Sequence, residues 1–113
     1  MAVNRRRGEI AAMLDGREYR LCLTLGALAE LEDAFAAEDL GALVQRFSTG
    51  RLSARDMTRI LAAGLRAGGN AVSEDEVAAM RCEDGAAGFA RIVSDLLSTS
   101  FGAGGGEAAG PNP

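Results

Sequence analysis

Apolar and polar positions alternate over residues 8–14 and again over 17–23, and Asp15-Gly16 separates the two runs. A period of two marks a half-buried strand, and Asp-Gly is the dipeptide that best tolerates the positive φ angles of a two-residue hairpin turn. The pattern predicts a β-hairpin in which Leu14 faces Arg17, Ala12 faces Tyr19 and Ile10 faces Leu21. One face is then apolar. On the other, Glu9, Ala11 and Met13 oppose Cys22, Arg20 and Glu18, a mixed surface that meets solvent or a partner. A lone hairpin is marginal in water, so it lies against helices or extends a sheet made with another subunit; the residues leave both options open.

After the hairpin the period lengthens to that of a helix. Thr24 can cap a helix in which Leu25, Leu28, Leu31 and Phe35 recur while Glu30, Glu32 and Asp33 point elsewhere. A shorter segment from Asp39 to Phe47 repeats the pattern with Leu40, Leu43 and Val44, and Ser48-Thr49-Gly50 ends it. Ser53 and Asp56 form the acidic version of a capping box, opening a third helix with Met57, Ile60, Leu61, Gly64 and Leu65 on one stripe and Gly68-Gly69-Asn70 as the stop. Ser73 and Glu76 form a second box before a short helix that carries Val77, Met80 and Cys82. Asp84 can cap the last helix, whose stripe of Phe89, Ile92, Val93, Leu96, Leu97 and Phe101 is the longest in the chain and predicts the central packing helix.

These elements make an α+β, mostly α, fold: an N-terminal β-hairpin, four to five short helices and a disordered C-terminal tail. Residues 1–101 form the single domain expected of 113 residues. Residues 102–113 hold only Gly, Ala, Pro, Asn and one Glu, with no side chain to anchor them. Aromatics reach only 4%, so the core is small and aliphatic. The formal net charge of −4 gives no global basic field, which argues against nucleic acid and anionic membranes as partners. The absence of His removes the usual neutral-pH general base and the commonest metal ligand, excluding His-based triads and zinc sites. Cys22 and Cys82 lie far apart without a C-x-x-C pair and read as two buried, reduced thiols. The first thirty residues lack an apolar signal core, and no apolar run approaches the roughly 20 residues that span a bilayer. A cytoplasmic protein is expected.

Each charged or glycine-rich cluster has a structural explanation beside the chemical one. Arg5-Arg6-Arg7 can meet phosphate, but at a terminus beside an acidic body it reads as solvated. Glu30 and Asp33 are helical neighbours, with Glu32 on another side, and read as a solvated or partner-docking face rather than an acid/base pair. Glu74, Asp75 and Glu76 suit the dipole of a helix first turn. Neither Gly64 to Gly69 nor Gly102 to Gly106 precedes the Lys-Ser/Thr of a phosphate loop, and Gly64 reads as a close helix contact. No catalytic, cofactor or metal site is expected.

The run from Tyr19 to Asp33, centred on Thr24-Leu25-Gly26-Ala27-Leu28 and preceded by Arg7-Gly8-Glu9, resembles the gene transfer agent family of phage tail proteins. The likeness continues through Asp39-Leu-Gly-Ala-Leu43, Arg51-Leu-Ser53 and the helix near Asp56, covering roughly residues 7–101. These proteins look like tail assembly chaperones. The resemblance implies a small non-enzymatic protein that binds the tape measure protein and keeps it soluble while tail tube subunits polymerise. Docking through a helix face then falls to Leu28, Glu30, Leu31, Asp33 and Phe35, an inference from the helical pattern rather than a family motif. Tail tube protein and further copies of the chain are the other partners considered. Some such chaperones are also made in a longer, frameshifted form, for which Gly104-Gly105-Gly106 could provide the join; the amino-acid sequence leaves this open. The alternative is a structural tail or connector component whose hairpin adds strands to like subunits. A regulatory nucleic-acid binder using Arg5 to Arg7 is a third, opposed by the net charge.

Overall fold

The computed structural model describes residues 3–49 and 51–101. A 3-10 turn at Arg5–Arg7 leads into strands β1 (Ile10–Leu14) and β2 (Arg17–Leu21), followed by helices α1 (Leu25–Ala34), α2 (Leu40–Ser48), α3 (Ala54–Ala67), α4 (Glu74–Ala78) and α5 (Gly85–Ser100). The tail beyond Phe101, including the glycines considered for frameshifting, lies outside the described residues.

The hairpin has the register its alternation predicts. Leu14 pairs with Arg17, Ala12 with Tyr19 and Ile10 with Leu21 in an antiparallel ladder. Asp15 and Gly16 take φ of 55° and 75°, the double positive-φ conformation of a type I′ turn, whose twist matches the strands it joins. Ile10, Ala12, Leu14, Tyr19 and Leu21 turn inward onto the helices, whereas Ala11 and Met13 face out.

Helix starts are also set locally. Thr24 accepts from the Ala27 amide and Asp39 from the Ala42 amide, and both capping boxes, Ser53 with Asp56 and Ser73 with Glu76, close in each direction. Two expectations fail at later boundaries. Asp84 makes no cap; its backbone is not extended, and its carboxylate pairs with Arg91 instead. Helix α4 is over at Ala78, so Cys82 falls in the connection to α5 rather than on the helix.

The central element is α3, not α5. Ile60, Leu61, Ala62, Ala63, Gly64 and Leu65 are consecutively buried because α3 packs against β2, α1, α4 and α5 at once. Helix α5 has the longer apolar stripe but buries only Gly88, Val93 and Leu96, leaving its remaining apolar side chains partly exposed. Small residues let α3 approach its neighbours. A Cβ on Gly64 would stand 2.7 Å from Leu96 Cδ2, so Gly64 is the close helix contact that its place in the stripe suggests.

The end of α3 also seals one side of the sheet. The Cys22 amide donates to the Gly64 carbonyl at 3.1 Å, Arg20 Nε to the Gly68 carbonyl at 3.2 Å, and Asn70 Nδ2 to the Arg20 carbonyl at 2.9 Å. The outward-facing Arg20 carbonyl and Cys22 amide of β2 are thereby engaged.

Candidate functional site: an apolar groove and an open strand

The five residues expected to dock a partner do not share one face. Leu28 and Leu31 are 7% and 1% exposed and belong to the core, which corrects their assignment to a docking surface. The reason is that α1 packs its apolar stripe on α3 instead of presenting it. Glu30 and Asp33 lie on the exposed side, where Glu30 accepts from Arg66 Nη2 at 3.2 Å. Phe35, the C-cap residue, is half-buried and meets Phe47 edge-on at 5.4 Å between ring centroids. Leu25, in the first turn of α1, is 79% exposed.

Phe35 leads instead to a feature that periodicity did not disclose. An open groove of about 500 Å³ runs between α2, the start of α3 and α5, with Val44, Phe47, Met57, Val93, Leu97 and Phe101 among its walls. Phe47 stands 6.3 Å from Phe101, so three phenylalanines connect α1, α2 and the end of α5. Arg46 lies over the Phe35 ring at 5.4 Å and reaches Asp56 at 3.5 Å. Each apolar side chain here was visible as part of a helical stripe. The available signal was Val44, which widens the stripe of α2 beyond the face that Leu43 and Phe47 bury.

The second feature is the outer side of β1. A two-residue hairpin turn makes Leu14–Arg17 a hydrogen-bonded pair, so the N–H and C=O groups of Ala12 and Ile10 also point toward β2, and those of Ala11 and Met13 point away. Among the described residues no hydrogen bond takes up those outward groups. Met13 is 55% exposed.

Arg5 donates to Asp95 and to Thr99 Oγ1 at 3.1 Å, tying the N-terminal turn to α5. Among the described residues no group of three or more His, Cys, Asp or Glu is placed to hold a metal ion. Both cysteines are free and half-buried rather than fully buried. Cys22 Sγ–H donates to the Ala67 carbonyl at 3.4 Å; burial pushes its pKa up, Glu9 adds to the rise, and Arg20 and Arg7 oppose it. The thiolate is therefore disfavoured relative to that of a free cysteine, which titrates near pH ~8.5. Burial of the thiol contributes stability below the unfolded-state pKa, and that contribution is lost as pH rises through the higher folded value. Alkylation of Cys22, followed by peptide mass spectrometry, is expected to lag a free thiol and to keep accelerating above that pH; a plateau there would contradict the shift.

A family profile described as phage tail tube protein, GTA-gp10, matches residues 7–103. The chain belongs to this phage tail family. No curated protein and no solved structure gives a significant match. The match spans the hairpin and all five helices, so the groove and the open strand both belong to the GTA-gp10 domain. A tail tube description favours the structural tail component over the assembly chaperone that the sequence resemblance put first. Among the described residues of this GTA-gp10 protein, no helix is long and apolar enough to cross a membrane.

Proposed function

We propose that the protein is a non-enzymatic structural component of a phage-like tail, acting through contacts with other tail proteins. The family match over residues 7–103 carries this reading. Two physical features support it. The backbone groups of Ala11 and Met13 offer hydrogen bonds to a further strand, and the groove beside Val44 and Phe101 offers apolar area that one small domain does not cover. A net charge of −4 keeps such a subunit soluble before assembly.

The groove favours a second reading. Its walls suit the apolar face of an amphipathic helix, the binding mode expected of a chaperone for a long helical tape measure protein. Quantitative mass spectrometry of purified particles separates the two. A structural component is expected in fixed proportion to the other tail proteins. Absence from particles, together with co-purification of the tape measure from assembling cells, would transfer the function to the chaperone.

A further inference from the structure

We propose that β1 is a self-pairing edge, through which two copies of this chain join about a two-fold axis into one four-stranded sheet ordered β2-β1-β1-β2. The inference goes beyond presence in a tail: it concerns the free chain in solution and names a second copy as the occupant of the open strand.

The hydrogen-bonding inventory selects that occupant. On its outer side β1 has the donors and acceptors of Ala11 and Met13, and both ends of this stretch are closed. The Glu9 amide already donates to the Asn4 carbonyl at 3.1 Å, and the Asp15 amide to the Arg81 carbonyl at 2.8 Å. An antiparallel partner with Ala11 opposite Met13 and Met13 opposite Ala11 uses every one of these groups, donor to acceptor, and stops where they stop. A second β1 supplies that complement, because the arrangement is its own two-fold mate with Ala12 on the axis.

Side chains agree with this register. On the outer face, long, flexible Met13 lies opposite small Ala11; on the covered face, Ala12 meets Ala12 and Ile10 meets Leu14. Space exists beside the edge. An open concavity of about 520 Å³ adjoins Ile10 and Ala11, floored by α5 residues Arg91, Ile92, Ser94, Asp95 and Ser98. The strand also lacks the usual protection of an edge, since it contains no Lys, Pro or other charged residue between Ile10 and Leu14.

The other edge determines how far association goes. On β2 the outward Arg20 carbonyl accepts from Asn70 and the outward Cys22 amide donates to Gly64. With the end of α3 lying against β2 at these points, a second copy pairs at β1, and pairing through one edge closes at two subunits instead of growing into a ring or fibre.

Sedimentation equilibrium of the full chain over increasing concentration tests this. The mass is expected to rise from the 11.7 kDa monomer to twice that value and level off. Ala11→Pro removes an outward N–H that makes no bond within the hairpin, and Met13→Lys places a charge at the junction; each is expected to hold the mass at that of the monomer. Circular dichroism of each variant shows whether the hairpin domain is intact, and Met13→Lys serves if Ala11→Pro unfolds. Val44→Arg, in the groove, is expected to leave the dimer unchanged. A monomer at every concentration, growth beyond twofold, or loss of the dimer in Val44→Arg but not in Met13→Lys would overturn the proposal. Because the readout is the solution mass, it fails or succeeds separately from the presence of the protein in particles.

Discussion

Gly68→Ala is expected to destabilise the domain by roughly 3–5 kcal/mol, although it adds one methyl group. A Cβ at this position would stand 2.1 Å from the Arg20 carbonyl oxygen, 2.8 Å from its carbon and 3.1 Å from Leu21 Cα. All three atoms are backbone, so no rotamer change relieves the contact. The φ of Gly68 is −80°, within reach of any residue, and the requirement is therefore for space rather than conformation. The end of α3 would have to move off β2, weakening the hydrogen bonds between Arg20 and Gly68 and between Asn70 and Arg20. Overpacking costs about 1–3 kcal/mol and each lost hydrogen bond about 1 kcal/mol more. For a domain of this size the midpoint of thermal unfolding should fall by roughly 12–40 °C. Circular dichroism is the suitable probe, since the chain has no Trp and one Tyr. Gly26→Ala is the contrast: its Cβ would meet only Thr24 Oγ1 at 3.8 Å, and added helix propensity should stabilise α1 by about 0.5–1 kcal/mol. Equal midpoints for the two variants would contradict the tight approach of α3 to β2.

Features set by neighbours in sequence were legible before the structure. Asp15-Gly16 fixes the turn and hence the whole strand register, and Ser53 and Ser73 fix helix starts through atoms three residues away. What was not legible depends on which element lies opposite. The stripe of α5 is longer than that of α3, but α3 has neighbours on several sides and becomes the centre. Gly68 reads as a helix stop in sequence and is also the point where a helix touches a strand backbone. Capping by Asp84 failed because its backbone is not in the extended conformation that an N-cap requires, which leaves its carboxylate to pair with Arg91.

The candidate site shows the same division. Helical spacing correctly separates Leu28 and Leu31 from Glu30 and Asp33, but spacing alone does not say whether an apolar face meets the core or a partner. The groove needed three helices to be placed together, and the open edge needed knowledge of where the end of α3 lies. With β2 engaged near Arg20 and β1 open at Ala11 and Met13, a symmetrical-looking hairpin becomes an asymmetric interaction surface. That asymmetry converts the general expectation of strand addition into one particular pairing.

Leu31→Ala is expected to cost about 2–5 kcal/mol, the range for removing a fully buried leucine. Leu31 is 1% exposed and packs in the core with Leu28 and the inward side chains of α3. Helix α1 contacts mainly α3 and the neighbouring α2, so collapse around a cavity there would require a shift of the whole helix. Glu30→Gln and Asp33→Asn, on the other side of the same helix, should each remain within about 1 kcal/mol of the parent, because the Glu30–Arg66 pair is exposed to solvent and worth little by itself. Urea unfolding followed by circular dichroism checks all three. If Leu31 instead served a partner while the free domain was indifferent to it, its truncation would leave the unfolding midpoint unchanged and weaken only assembly. A large loss of stability in Leu31→Ala with near-neutral Glu30 and Asp33 variants assigns the apolar stripe of α1 to the fold and leaves the groove and β1 as the surfaces available for contact.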